Sequence, residues 1–384
     1  MLEKIKKIDP LIVLLLVGMM IFSTLCIYSA TIHTKYEGTH ISNLRNYAIG
    51  FVCFFAMALF DYRILMRISW YLYGVCILLL AGIFKFGSEL NGAVGWYKLP
   101  MGFSFQPAEL AKFALVIVLT SFLYRRRGEY LSLGRDVIPI GLIVLLPFTL
   151  VLVQPDLGNA MIYLVIMTAM LWIGNIRGLQ ALIAAAVIGA AGFLFISTFD
   201  NMKDAYANFL QETIGKGHWV TRIATFLNPD AASESESYHV NNVYRAIGSG
   251  QLTGEGFLSG TSVHKDFIPY VYADSIVVLV GEEFGFVGMS LMLLAYFLLI
   301  YRMVLIAIQS YDLRGAYMTV GIVSLLVFQI FLNVAMHLKM MPFTGITLPF
   351  ISYGGTSLLI NMASLGMVVS VRIHQEKPLP YATE

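Results

Sequence analysis

Carboxylates crowd one polar stretch of a chain that is otherwise strongly apolar. Asp266, Asp274, Glu282 and Glu283 all fall within residues 246–288, a segment also dense in glycine. A carboxylate at the edge of a cavity has the chemistry of a general base, because it can take a proton from a hydroxyl as that hydroxyl attacks. Asp274 stands at the mouth of an apolar run, and Gly281-Glu282-Glu283-Phe284-Gly285 follows deeper in the same run. Asp274 also reads as the N-cap of a helix, where the dipole stabilises an acid, and spacing alone leaves both readings open. Two adjacent acids inside an apolar run cannot both face hydrocarbon. At least one must turn inward or meet a cation, for which Arg222 and Arg245 are the loop candidates. The run Ala246-Ile247-Gly248-Ser249-Gly250-Gln251-Leu252-Thr253-Gly254-Glu255-Gly256 has the glycine density of a tight loop whose amides approach a ligand closely. No Gly-Lys-Ser/Thr follows it and no strand-to-helix context surrounds it, so it is neither a Walker A loop nor a dinucleotide fingerprint.

The elements that must position these groups lie in a bilayer. The chain has 384 residues, 58% hydrophobic and only 12% charged, with a mean hydropathy of +0.76. Soluble chains carry about 25% charged residues, so a soluble globule is excluded. Crossing about 30 Å of hydrocarbon takes about 20 residues. Apolar runs of that length predict an all-α polytopic bundle of ten spans, at about 11–31, 45–60, 68–86, 106–124, 137–153, 159–175, 178–198, 276–302, 313–336 and 355–372. Residues 1–384 form one membrane domain, with 199–275 a large loop between spans seven and eight. The first run follows Lys4, Lys6 and Lys7 like a signal peptide, but its length and the lack of a small-residue cleavage site make it the first span. Cys26, Cys53 and Cys76 fall in apolar runs without paired spacing and read as packing residues. The net charge of +2 is spread over short loops, so no nucleic-acid face is expected.

An even number of spans puts both termini on one side. Lys4, Lys6, Lys7, Arg63, Arg67, Arg125, Arg126, Arg127, Arg135, Arg177, Arg302, Arg314, Arg372 and Lys377 fall on that side, against Lys35, Arg45, Lys85, Lys98 and Lys339 on the other. The positive-inside rule therefore places both termini in the cytoplasm, and the 199–275 loop and the active face outside. The Ser-Glu-Ser-Glu-Ser run at 233–237 reads as a solvated, mobile stretch of that loop.

Further polar motifs fall at the expected outer helix ends: Asn91-Gly92-Ala93 with Trp96, Gln106-Pro107-Ala108-Glu109-Leu110-Ala111-Lys112, Gln154-Pro155-Asp156-Leu157-Gly158, and a proline-rich stretch from Met341 through Ser352-Tyr353-Gly354-Gly355. Glu109 and Lys112 are three apart and share a helix face, either as a structural ion pair or as the lining of a polar cavity that holds an anionic headgroup. Asp156 is a natural N-cap for the span that follows. The 341–355 stretch implies irregular backbone, which is tolerated at membrane depth only where it lines protein or a water-filled cavity.

Together and in this order, these motifs resemble the SEDS family of membrane proteins, the group containing RodA, FtsW and SpoVE. The resemblance covers nearly the whole chain. It implies ten helices, a large outer loop between the seventh and eighth, and peptidoglycan glycosyltransferase activity that polymerises lipid II at the outer face of the bacterial cytoplasmic membrane. Asp274 occupies the place of the family's essential aspartate ahead of Glu-Glu-Phe-Gly. Around it, Trp96, Glu109, Lys112, Asp156, Arg222, Arg245, Ser249, Glu283 and Ser352 are assigned to substrate binding. The leaving pyrophosphate calls for cations: Lys112, an arginine, or Mg²⁺ or Mn²⁺ acting as a Lewis acid. No organic cofactor is expected, and the implied partner is a class B penicillin-binding protein. The chain departs from the family in having Gly95 where an arginine is usual, Ala108 where a serine is usual, and Ser275-Ile276-Val277-Val278 in place of an aromatic-rich run.

Two other classes compete. A lipid-precursor flippase or other transporter also carries polar residues at depth, but needs access from both faces, whereas the motifs here cluster on one. A non-catalytic scaffold for the penicillin-binding protein would not depend on Asp274. His218, His239 and His264 match no zinc spacing and read as surface histidines.

Overall fold

The computed structural model describes residues 4, 6–90, 93–98, 104–214, 234–264 and 270–375. In chain order the helices are α1 (Pro10–Thr31), α2 (Thr39–Leu59), the short α3 (Tyr62–Arg67), α4 (Ser69–Phe86) and α5 (Pro107–Tyr124). A π-helical turn at Leu133–Val137 leads into α6 (Ile138–Val153), followed by α7 (Leu157–Ile173) and α8 (Gly178–Ile214). Then come α9 (Glu234–Ser249), α10 (Thr261–His264), α11 (Ile276–Ile308), α12 (Leu313–His337) and α13 (Gly355–His374). Among the described residues, eight helices are long and apolar enough to cross a membrane. α7 is apolar but 17 residues long, and α2 is 21 residues long with His40, Asn43, Arg45 and Asn46 in its first two turns. The protein is a mostly helical, polytopic membrane protein.

Short polar residues start the helices where the sequence places them. The carboxylates of Asp9, Asp61, Asp156 and Asp312 accept from the backbone N–H of Leu11 (3.1 Å), Arg63 (2.9 Å), Asn159 (3.0 Å) and Arg314 (3.0 Å), each occupying a donor the helix cannot satisfy itself. Close approach packs the bundle: α13 runs along α2, and a Cβ on Gly366 would lie 2.4 Å from the Phe54 carbonyl oxygen, so these backbones nearly touch. Along α8, by contrast, no residue from Gly178 to Thr198 is buried.

The bundle has two chemically distinct ends. At one, buried Asp9 binds Arg302 (Nε, 2.7 Å) and Arg372 (Nη1, 2.6 Å), joining the start of α1 to the far ends of α11 and α13. Asp312 holds Arg314 (2.9 Å) and accepts from the Tyr62 hydroxyl (3.0 Å), and Arg126 pairs with Asp136. Asp274, just ahead of α11, is at the opposite end. Ser275 and Arg302 are 27 residues apart, about 40 Å of helix.

Three features differ from expectation. A small antiparallel sheet, β1 (Ser88–Leu90), β2 (Ala93–Lys98) and β3 (Ser104–Phe105), joins α4 to α5; its strands are too short to leave a period in the sequence. α8 continues to Ile214, well past the expected end at 198, because its apolar half runs without a breaker into the polar segment that follows. The acidic run at 233–237 is not a coil over its described part: residues 234–237 form the first turn of α9.

Candidate functional site

The site is built on a break in α11. Gly285 has φ 60° and ψ −159°, outside helical geometry, so the carbonyls before it and the amides after it lose their helical partners. The glycine-rich loop supplies replacements. Glu255 N and Gly256 N donate to the Glu282 and Glu283 carbonyls (2.9 and 3.1 Å), while Phe286 N and Val287 N donate to the Gln251 and Leu252 carbonyls (2.9 and 3.0 Å). A break within a membrane helix is sustained in this way, with protein groups taking the place of the lost helical partners. The approach is so close that a Cβ on Gly250 would stand 1.9 Å from the Gly281 oxygen, and one on Gly254, at φ +84°, 2.1 Å from the Glu283 oxygen. The glycines therefore serve contact between two backbones rather than between backbone and ligand, and the amides of Glu255 and Gly256 are already engaged.

The two acids at the break also turn inward. Glu282 accepts from Ser262 N (2.7 Å) and Val263 N (3.1 Å), capping the four-residue α10. Glu283 accepts from the Ser29 hydroxyl of α1 (2.5 Å) and lies 3.3 Å from His264 Nε2. Arg245 is on the exposed side of α9 and does not pair with them; Arg222 and Asp266 lie outside the described residues. The Ser249 hydroxyl donates to the Ala246 carbonyl (2.9 Å) at the end of α9. The same Ser249 hydroxyl, whose single hydrogen is shared between that carbonyl and the Glu255 carboxylate, holds the Glu255 carboxyl below the ordinary carboxylate range together with Thr261 N–H.

Asp274 is half-buried where the start of α11 meets the segment between α12 and α13. That segment is irregular, as expected, and its carbonyls are satisfied by hydroxyls: Tyr296 donates to Pro349 O, Tyr47 to Phe350 O, and Ser23 to Ile351 O (2.7 Å). Ser352, buried, accepts from Leu348 N (2.9 Å) and so closes a turn of the same segment. Gly345 faces Asp274, since a Cβ there would lie 3.8 Å from Asp274 Oδ2. Asn333 Nδ2 bridges the Asp274 and Ile346 carbonyls (2.8 and 2.6 Å). The N-cap of α11 is Ser275, not Asp274. On the other side, Tyr353 N donates to Tyr272 O (2.9 Å), and the rings of Tyr36, Tyr272 and Tyr353 meet in sequence, with centroids 4.9 and 5.9 Å apart. Burial and the neighbouring Tyr36 raise the Tyr272 phenol above its ordinary range, leaving it a donor at neutral pH.

The starts of α5 and α7 complete the junction. Lys112 Nζ and Glu109 Oε1 are 2.8 Å apart and both buried, so they neutralise each other inside the bundle, while Glu109 Oε2 has no protein partner among the described residues. Asp156 caps α7 and also accepts from Gln106 Nε2 (2.9 Å) and Asn159 Nδ2 (2.7 Å). The backbone of Gln106 in turn reaches the Thr356 hydroxyl at the start of α13 (3.3 Å). A Cβ on Gly158 would strike Ile346 at 2.5 Å, which sets α7 directly against the segment beside Asp274. Trp96 is half-buried on β2, and Gly95 beside it faces Gln106 Nε2 at 4.0 Å. Asn333, Ser29, Tyr36 and Tyr272 were not singled out from sequence, and Gln106 and Tyr353 only as members of their motifs; nothing in a single chain distinguishes the first four from ordinary residues of apolar helices and loops. Among the described residues no three His, Cys, Asp or Glu side chains come together to hold a metal ion.

This neighbourhood holds the half-buried Asp274 carboxylate, a neutralised ion pair and a row of phenols. Comparisons with known proteins point the same way. The family model for cell cycle proteins of the FtsW, RodA and SpoVE group matches residues 7–377. The peptidoglycan glycosyltransferase MrdB of Escherichia coli K12 is 31% identical over 378 residues, 96% of this chain and 94% of that one. Stage V sporulation protein E of Bacillus subtilis is 28% identical over 382 residues, 95% and 98% of the two chains. A solved chain from work on the structural coordination of polymerization and crosslinking by a peptidoglycan synthase complex superposes with a TM-score of 0.77 at 26% identity, covering 96% of this chain and 99% of that one. With fold, ordered motifs and relatives in agreement over almost its full length, this chain belongs to the FtsW/RodA/SpoVE family of cell cycle proteins.

Proposed function

We infer that this protein is a peptidoglycan glycosyltransferase that polymerises lipid II into glycan strands, with Asp274 as general base. The observation that carries the reading is the placement of Asp274: a half-buried carboxylate facing Gly345, where the start of α11 meets the 338–354 segment and the start of α7 packs against Ile346. The relatives supply the reaction class, since MrdB is a peptidoglycan glycosyltransferase.

In this reaction the sugar hydroxyl of one lipid-linked unit attacks the anomeric carbon of the growing strand. A glycosidic C–O bond forms as the bond to the lipid pyrophosphate breaks, and the electron pair leaves with the pyrophosphate. Asp274 takes the hydroxyl proton, a role worth about 10²–10⁴-fold in rate. Trp96, Glu109, Lys112, Asp156, Arg222, Arg245, Ser249, Glu283 and Ser352 remain the proposed substrate-binding set, with unequal support. Asp156 caps α7, whose Gly158 packs against Ile346 beside Asp274. Ser352 closes a turn of the segment that faces Asp274, and Glu283 anchors the break in α11 to Ser29. A divalent cation, Mg²⁺ or Mn²⁺, would arrive with the pyrophosphate rather than be held by a protein cage.

Ten spans, cytoplasmic termini and an extracellular active face fit the two chemically distinct ends, the arginine-rich one lying inside. The partner is a class B penicillin-binding protein, as the likeness to a chain of a peptidoglycan synthase complex suggests. The test is to supply purified protein with lipid II, with and without that partner, and to resolve the products by length. Glycan strands establish the transferase. Lipid II translocation across vesicles without polymer would establish a flippase instead, and neither activity together with tight partner binding would establish a scaffold.

A further inference from the structure

α12 meets the Asp274 segment through two fully buried polar side chains four residues apart, Asn333 and His337. That spacing sets them one turn apart on one face of the helix. The Asp274 carbonyl lies one residue ahead of the N-cap of α11. Asn333 Nδ2 donates to it at 2.8 Å and gives its second hydrogen to the Ile346 carbonyl at 2.6 Å, next to the Gly345 that faces the Asp274 carboxylate. One amide nitrogen thus ties both walls of the Asp274 niche together.

His337 continues the chain of bonds. Its Nδ1 lies 2.7 Å from the Asn333 carbonyl, which can only accept, so Nδ1 carries the hydrogen. In the neutral ring Nε2 is then an acceptor, and it lies 3.2 Å from the Ser275 hydroxyl, which donates to it. The peptide unit between Asp274 and Ser275 is therefore held from both sides by one helix, through the carbonyl of the first residue and the side chain of the second.

We propose that Asn333 and His337 are positioning residues for glycan transfer: a clamp on α12 that fixes the direction of the Asp274 carboxylate. The proposal rests on the reading of Asp274 as the base. Neither residue need touch substrate. Their effect is geometric, and a misplacement of about 1 Å in a reacting group costs on the order of 10²-fold in rate.

The experiment measures initial polymerisation rates of the full chain across lipid II concentrations. The variants are Asn333→Ala, Asn333→Asp, Ser275→Ala, His337→Phe and the double Ser275→Ala/His337→Phe, with Asp274→Asn and Ser324→Ala alongside. Ser324 donates only to the Gly321 carbonyl of its own helix and serves as the control on α12. The clamp predicts a fall in kcat on the order of 10²-fold for both Asn333 variants, with KM within about twofold of wild type. It also predicts that the Ser275/His337 double variant is no slower than the slower single one, because both remove the same bond. Wild-type kcat in Asn333→Ala, or a rise in KM at unchanged kcat, overturns the clamp. If the Asn333 variants do not fold, Ser275→Ala decides, since it removes a single oxygen: a reduced kcat supports the clamp and an unchanged one overturns it. Asp274→Asn at full rate overturns both the clamp and the base reading. Asp274→Asn inactive beside a fully active Asn333→Ala overturns the clamp alone.

Discussion

Replacing Gly254 with alanine tests whether the glycine loop exists to mend the break in α11. The new methyl would stand 2.1 Å from the Glu283 oxygen and 2.5 Å from Phe284 N, both backbone atoms that cannot rotate away. Three costs follow. Holding an L residue at φ +84° costs about 1–2 kcal/mol. Overpacking costs about 1–3 kcal/mol. Separating the strands loses the bonds from Glu255 N and Gly256 N to α11, about 0.5–1.5 kcal/mol each. Even the lower ends sum to about 3 kcal/mol, roughly a 10²-fold shift toward an undocked loop. The assay is amide hydrogen exchange of Glu255, Gly256, Phe286 and Val287, which reports local opening directly. Exchange should accelerate about 10²-fold in Gly254→Ala, with loss of polymerisation. Gly248→Ala is the matched comparison, because a Cβ there meets nothing within 4 Å, and it should exchange as wild type does. Wild-type protection in Gly254→Ala would refute the reasoning.

Three other outcomes follow from the same geometry. Glu109→Ala leaves Lys112 buried without its partner and should destabilise the protein by about 3–5 kcal/mol, whereas the charge-swapped Glu109→Lys/Lys112→Glu should recover thermal stability but not polymerisation; thermal unfolding in detergent beside the activity assay checks both. Asp9→Asn removes the acceptor shared by Arg302 and Arg372 and should cost about 1–3 kcal/mol with little change in activity, because that cluster lies at the end opposite Asp274. Chelation of divalent cations should slow polymerisation while leaving thermal unfolding unchanged, since no cage among the described residues depends on a metal; a large fall in melting temperature would contradict that.

The sequence made the helices legible because hydrocarbon thickness and aspartate caps are local constraints. Pro10 after Asp9 and Leu157 after Asp156 begin helices where a capping carboxylate predicts them. The Glu109–Lys112 pair was equally legible, since a three-residue spacing on a helix admits little else. The glycine run was misread in one respect: its amides serve the carbonyls of Glu282 and Glu283, and that depends on a backbone break at Gly285 which no periodicity announces. Arg245 was a reasonable partner for Glu283 by charge, yet Ser29 and His264 hold that carboxylate, residues from α1 and α10 that only the fold brings together. Asn333 and His337 escaped notice because each is a lone polar residue in an apolar helix, and their meaning lies in what sits across from them.

The most direct measurement is polymerisation of purified lipid II by wild-type protein and by Asp274→Ala, with the class B penicillin-binding protein present and with thermal unfolding recorded on the same samples. The account predicts glycan strands from wild type and none from the variant at matched stability. Strands of normal length and rate from a folded Asp274→Ala would contradict it.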